Sequence, residues 1–493
     1  MRYLSLDKSC AALLIWNQVG VVAAILAAWS CLNQGICGAD TIIRLSCVSL
    51  PLHLVWMFYS WKKIGRELFS PYSLFVVAVF VFNAGQACLE VLGLNRNGLL
   101  GGRFSESTLA QTLLLVLYAL SVMHLGALIA VTTKARGQPR AMSYAPAVTL
   151  RRVAVVLFIV ALIPTFLVWG RAVSLVADGG YGALYQAEAA TGFGAAPAIL
   201  SGFLMPSGFL LLAGSKLYRW GRVSACALIG SYVLLQLFLG FRGNAVVVLT
   251  AFLWLWHRTI RRLPATVPIA VLALIAVFVL PVVGITRSIA GRERMSLSQW
   301  KTTYAGIDNP AVDILSEMGG SMLAPAYTIQ FVPSDHAYEF GASYAYAVLS
   351  LVPNLFWSVH PAAEHSPSKW LVNTAEPATA RAGGGLGYSV IAEAYLNFGF
   401  LGAGVPMGLL GWGIGRLSRW TEVNHAPSNL SFVAIALVPL LIYARAEAGN
   451  VLRGVTWFAA IPYLMVSRWP KRYRRQPHGP VSPNRRPFPL ERI

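Results

Sequence analysis

Arginine placement is the first chemical signal in this chain. Arg242 closes an apolar block in Phe241-Arg242-Gly243-Asn244. Arg287, Arg292 and Arg294 follow a second block, Arg381 precedes Gly383-Gly384-Gly385, and Arg445 and Arg453 flank a short turn between two more. A guanidinium presents a planar fork of donors that matches phosphate in bidentate fashion, and it stays charged at any relevant pH. A group of such residues points to an anion site. The competing reading, residue by residue, is that each arginine reaches lipid headgroups or pairs with an acid such as Glu293 or Glu447.

Glu393 is the second signal. It lies in Ser389-Val390-Ile391-Ala392-Glu393-Ala394-Tyr395-Leu396-Asn397-Phe398-Gly399, inside an apolar block. A carboxylate there is costly and needs a partner. It either braces an arginine or, desolvated, acts as a base. His336, His360 and His365 share one long polar segment. A neutral imidazole can take a proton from a hydroxyl, although loop histidines usually carry no chemistry. Their spacing fits no metal motif, and nothing in the chain calls for a metal or a cofactor.

The elements that must hold these residues are membrane spans. Crossing a ~30 Å hydrocarbon core takes about 20 apolar residues. Such blocks occur at 11–31, 43–60, 71–93, 107–132, 153–170, 195–214, 223–241, 244–257, 264–285, 388–415, 429–444 and 450–467. Composition agrees, with 56% hydrophobic and 12% charged residues over 493 positions, against about 25% charged in a soluble domain. The expected fold is all-α, a polytopic bundle of about twelve spans. The expected organisation is spans one to nine in 1–285, a large outer loop at 286–387, spans ten to twelve in 388–467, and a basic, disordered cytoplasmic tail at 468–493.

Orientation follows from Lys and Arg in the short loops. With the N-terminus inside, every inner segment holds at least two cations, and 26 of the 39 lie inside. Both termini are then cytoplasmic, in a bacterial plasma membrane. The net charge of +20 fits an anionic membrane surface, and no nucleic-acid-binding motif accompanies it. Eleven of the 13 outer cations are arginines, which the positive-inside rule does not explain. The six cysteines include no CxxC pair. Cys31 and Cys37 share one outer loop, where a disulfide and two small apolar side chains are both open readings.

Within the outer loop, Val312, Leu315, Met318, Met322, Ala326 and Ile329 recur in steps of three and four. They predict an amphipathic helix over 310–332, suited to lie on the outer leaflet. Tyr344–Trp357 is a second apolar stretch. The Pro-, Gly-, Ala- and Ser-rich segment 361–387 reads as mobile, with Gly383–Gly385 as a hinge. Gly399, Gly402, Gly404, Gly408, Gly411 and Gly415 read as a helix-packing face.

Three pieces of sequence resemble one family. They are Gly240-Phe241-Arg242-Gly243-Asn244; Leu315-Ser316-Glu317-Met318-Gly319 with Val332-Pro333, Tyr338-Glu339-Phe340-Gly341-Ala342-Ser343-Tyr344 and Val352-Pro353-Asn354; and Gly384-Gly385-Leu386-Gly387-Tyr388-Ser389 running into Glu393-Ala394-Tyr395-Leu396-Asn397-Phe398-Gly399. Over roughly 220–455 the chain resembles the bacterial oligosaccharide repeat-unit polymerases, the Wzy-type O-antigen and exopolysaccharide polymerases. The N-terminal half is similar only in being hydrophobic.

The resemblance implies a GT-C-like integral-membrane glycosyltransferase. Its donor is a growing glycan on undecaprenyl diphosphate, and its acceptor is one lipid-linked repeat unit at the periplasmic face. It also implies metal-independent chemistry and a chain-length regulator protein as a partner. Membrane lipid surrounds the bundle, and a groove between spans holds the polyprenyl chain. Arg242, Arg287 and Arg381, supported by Arg292 and Arg445, are expected to stabilise charge on the departing diphosphate. Glu393 and His365 are candidate bases, and Tyr388 and Asn397 are expected at the substrate. Two alternatives stay open. A lipid-linked glycan flippase or exporter would show repeated halves and a central charged cavity. An O-antigen ligase would use the same donor.

Overall fold

Every apolar block is helical in the computed structural model, which describes residues 8–95, 97–133, 146–186, 192–264, 266–286, 289, 297–354, 357 and 359–469. Among them there is no strand. Arg287, Arg292, Arg294 and the tail from 470 lie outside the described residues. Some helices overrun their apolar blocks by several residues, as in Lys8–Asn33, Ala39–Lys63 and Ala147–Gly179.

Among the described residues eight helices are long and apolar enough to cross a membrane, and a bent pair makes a ninth. Helix Arg242–Thr259, the 17-residue helix Pro427–Tyr443 and the helical run 448–468 fall outside that set. The bent pair corrects the expectation of one straight tenth span. Helix Val390–Gly402 meets Gly404–Val423 at 117°, and Gly399 inside the first half has non-helical dihedrals.

The core of the bundle is helix Glu106–Thr132, nearly all of which is buried. Its closest partner is Gly404–Val423. A Cβ on Gly411 would run into the carbonyl of Met123, one on Gly126 into that of Gly408, and one on Gly415 would stand 2.9 Å from Cα of Ala127. The glycine run is therefore a close packing face, as small residues in membrane helices allow.

Buried polar groups set the register of the first four long helices. Gln18 donates to the carbonyl of Ser121 (2.9 Å) and accepts from Trp56 Nε1 (2.8 Å). His124 bridges Ser60 Oγ (2.8 Å) and the Tyr72 hydroxyl (2.5 Å). With no water available in an apolar interior, each of these groups needs such a partner.

At one end of the bundle the charges are paired. Arg66 binds Glu422, and Arg258 donates to Glu67 (2.6 Å) and to the carbonyl of Thr421 (2.5 Å). Three chain segments are clamped there.

The outer-loop helix differs from expectation. Residues 310–331 are helical in three contiguous pieces, Pro310–Gly319, Gly320–Met322 and Leu323–Phe331. They do not lie free on a leaflet; the run docks on helix Pro71–Val91. Gln86 Nε2 donates to the carbonyl of Ser316 (2.8 Å), and Met322, Ala324 and Ala326 are buried. The segment read as mobile folds into Pro361–Glu364, Pro367–Ala375 and Pro377–Arg381, each opened by a proline that needs no amide partner there. The Cys31 and Cys37 thiols are free.

The packing face yields a paired prediction. Gly411→Ala forces backbone apart and should lower stability by about 1–3 kcal/mol. Gly413→Ala, whose Cβ meets nothing within 4 Å, should leave it level or raise it slightly. Thermal melts of both variants in detergent check the contrast.

Candidate functional site

Arg242, Arg381 and Arg445 belong to the end of the bundle opposite the Arg66–Glu422 clamp. Helix Arg219–Leu239 stops at Gly240, whose φ of +90° is left-handed backbone that an L side chain resists. The chain reverses through Phe241, and Arg242 is the first residue of helix Arg242–Thr259. Its guanidinium is largely buried and already engaged. It donates to the Leu280 carbonyl (2.9 Å) and grips Glu317 with both Nη atoms. Glu317 comes from helix Pro310–Gly319, so the pairing ties the outer loop to the bundle.

A short chain of contacts links Arg242 to Arg381 and Arg445. The Tyr181 ring packs edge-on against Phe241 and lies over Gly240, and its hydroxyl meets that of Tyr185 at 2.6 Å. Tyr185 lies against Gly383, where a Cβ would sit 3.0 Å from the tyrosine Cβ. Arg381 ends helix Pro377–Arg381 two residues earlier and is exposed. At the other end of the glycine segment, Gly387 has φ +73° and Arg445 Nη2 within 3.3 Å of where a Cβ would be. Arg445 is exposed, its guanidinium lies 5.3 Å from the Phe82 ring centroid, and its carbonyl accepts from Tyr388 N (3.2 Å). The glycine segment 383–387 is thus bracketed by Arg381 and Arg445, with Arg242 reached through the two tyrosines.

Glu393 does not pair with an arginine. It is 1% exposed and accepts from Ser343 Oγ (3.0 Å), the amide of Ala448 (2.8 Å) and the Tyr443 hydroxyl (3.5 Å). Asn397, one turn on, is fully buried. It donates to Ser343 Oγ and to the carbonyl of Glu393 (2.8 Å each) and accepts from Gly341 N (2.8 Å). Tyr388 is 1% exposed. Asn397 and Tyr388, expected at the substrate, both lie in the packed interior.

Beside Glu393 opens a cleft of about 290 Å³ lined in part by Ser343, Tyr346, His360, His365, Lys369, Glu447 and Arg453. Both carboxylate oxygens of Glu447 accept from Ser366 Oγ (3.1 and 2.9 Å), and one also accepts from Ser368 N (3.2 Å), capping helix Pro367–Ala375. His336 stands elsewhere, 3.6 Å from Glu339 and stacked near Trp370. Burial pushes the Glu339 carboxyl above its ordinary range, against the pull of His336.

Four residues that organise the site carried no isolated sequence signal. Asn83 Nδ2 donates to the Ala444 carbonyl (3.0 Å) and Oδ1 accepts from Ser389 Oγ (2.5 Å), joining the start of helix Val390–Gly402 to the 444–448 turn. Gln86, Glu317 and Lys369 are the others. Two amides three residues apart, Asn83 and Gln86, within an apolar span were the one available clue, because such groups seek partners.

Glu393→Ala removes the acceptor for a half-buried amide and two buried hydroxyls. The expected loss is about 1–3 kcal/mol of stability, read as a lower melting temperature and earlier proteolysis. An unchanged melt with abolished activity would move Glu393 from scaffold to chemistry.

No curated protein matches the chain, and no solved structure does. Residues 21–473 match the family described as O-antigen polysaccharide polymerase Wzy. This membrane protein, an O-antigen repeat-unit polymerase by family, belongs to the O-antigen polysaccharide polymerase Wzy family.

Proposed function

We propose that this polymerase joins undecaprenyl-diphosphate-linked repeat units at the periplasmic face, moving the growing glycan onto the terminal sugar hydroxyl of an incoming unit. The chain crosses the plasma membrane twelve times in a GT-C-like bundle with both termini in the cytoplasm, and a chain-length regulator is its partner. Arg242, Arg287 and Arg381 hold the lipid diphosphate, with Arg292 and Arg445 in support. The observation that carries this reading is the glycine segment 383–387 held between Arg381 and Arg445, in contact through Tyr185 and Tyr181 with the turn that presents Arg242.

The physical logic is that of a leaving group. As the glycosidic bond breaks, negative charge gathers on the diphosphate, and preorganised guanidinium donors stabilise it. Small residues let a phosphate approach the backbone closely, and the exposed Arg381 and Arg445 can close on it. Arg242 holds Glu317 in the structure described here, so a diphosphate either shares that fork or displaces the carboxylate. The helix order supports the orientation. Arg66, Arg258 and Arg419 lie at the end away from Arg242, and the positive-inside rule makes that end cytoplasmic.

Arg242→Ala, Arg381→Ala and Arg445→Ala should each reach the membrane and still permit single repeat units to be capped onto the lipid anchor. Chains longer than one unit should fall at least tenfold. Surface glycan length on gels, from a deletion strain carrying each variant, is the measurement. Wild-type lengths in all three would refute the assigned arginines, and loss of capping with units retained inside would point to transport.

A further inference from the structure

The cleft beside Glu393 contains several groups able to take a proton, and hydrogen bonding distinguishes them. His360 Nε2 faces the Val352 carbonyl (3.1 Å), and its Nδ1 accepts from the Ala362 amide (3.0 Å). A carbonyl can only accept, so Nε2 carries the hydrogen and both nitrogens are engaged. Glu393 has both oxygens bonded to groups of the scaffold, and Glu447 caps a helix. Neither can take up a proton without releasing a structural contact.

His365 is different. Its Nδ1 faces the Pro361 carbonyl at 3.0 Å, which fixes the hydrogen on Nδ1 and leaves the lone pair on Nε2. Its ring stacks on Tyr346 with centroids 4.1 Å apart and planes 9° apart, so the tautomer and the ring plane are both held. His365 is exposed and lines the cleft. Lys369 and Arg453, also exposed, line the same cleft. The volume lies near the lower end for small-molecule sites, ~300 Å³, suited to a terminal sugar rather than a whole repeat unit. Arg445 precedes Glu447 by two residues, so the cleft adjoins the arginine-lined glycine segment.

We propose that this cleft seats the terminal sugar of the acceptor glycan, with His365 Nε2 as the base that receives its hydroxyl proton and Lys369 and Arg453 as donors to its ring substituents. The proposal rests on the diphosphate reading above. The acceptor O–H proton passes to Nε2 as the oxygen bonds to the donor's anomeric carbon. The bond from that carbon to the diphosphate oxygen breaks, and its electron pair leaves on undecaprenyl diphosphate. The imidazolium then returns its proton to water. Glu393 and Asn397 are positioning residues, because they hold Ser343 and the turn at Ala448 that form the cleft wall.

The test uses the full chain in phospholipid nanodiscs, with lipid-linked repeat units extracted from cells that lack it. His365→Ala should slow chain extension about 100-fold or more, the usual scale of a lost general base. It should bind undecaprenyl diphosphate as wild type does, and added imidazole should restore at least a tenfold gain. His365→Gln, of similar size, should melt with the wild type and stay slow. Either variant extending chains within tenfold of wild type overturns the proposal, and so does loss that imidazole does not restore. Arg242→Ala and Arg445→Ala serve as separate arms. Undiminished undecaprenyl diphosphate binding in both overturns the diphosphate reading instead.

Discussion

Burial of a carboxylate among apolar helices is the constraint around which the Arg242 end of this protein is arranged. Glu393 sits in a membrane helix with almost no exposed surface, where an unpartnered charge is strongly disfavoured. Its partners come from three parts of the chain: Ser343 from the outer loop, Tyr443 from the end of helix Pro427–Tyr443, and the Ala448 amide from the following turn. Asn397 closes the set through Ser343 and Gly341. Asn83 adds a fourth tie, from the Pro71–Val91 helix to Ser389 and Ala444. A loop of about a hundred residues thereby gains fixed points within the bundle.

Those ties explain how exposed arginines can have defined positions. Arg445 is three residues before Ala448, whose amide is bound by Glu393, and its own carbonyl holds Tyr388. Arg381 stands before the glycine segment that ends at the same Tyr388. Side chains of this length lose considerable freedom on binding a ligand, so a fixed backbone beneath them reduces what must be ordered. Arg242 has a tighter arrangement. Glu317 accepts from both ends of its guanidinium, and a carboxylate has the same bidentate geometry as a phosphate face. Glu317 thereby fixes the orientation of that fork.

Much of the fold was legible because hydrocarbon imposes so simple a rule. All twelve apolar blocks are helical, since a backbone crossing lipid must satisfy its own amides. The break between Val390–Gly402 and Gly404–Val423 was not legible. Apolar composition continues through it, and Gly399 and Gly402 read equally well as packing residues. The 310–332 periodicity identified a helix but not its neighbour. The same apolar stripe serves lipid or protein, and what decides for protein is Gly85, whose missing side chain admits Leu315 and Gly319, together with Gln86 beneath Ser316. The Arg242–Glu317 pair joins residues 75 positions apart, and no rule of local spacing connects them. Glu393 was recognised as needing a partner, but an arginine was the obvious guess. A backbone amide and two hydroxyls met the need instead.

That division places the charges where each has a use. A glycosyl transfer from a lipid diphosphate needs cations near the leaving group and a neutral lone pair near the acceptor hydroxyl. An arginine bound to Glu393 would have cancelled one of those cations inside the scaffold. Satisfying the carboxylate with neutral donors keeps Arg381 and Arg445 at the surface, on the two sides of the glycine segment. It also keeps the wall of the adjoining cleft rigid without adding a positive charge beside His365. Packing and polarity in this half of the molecule are therefore one problem with one solution: the interior around Glu393 is closed by neutral hydrogen bonds, and Arg381 and Arg445 stand exposed on either side of the glycine segment.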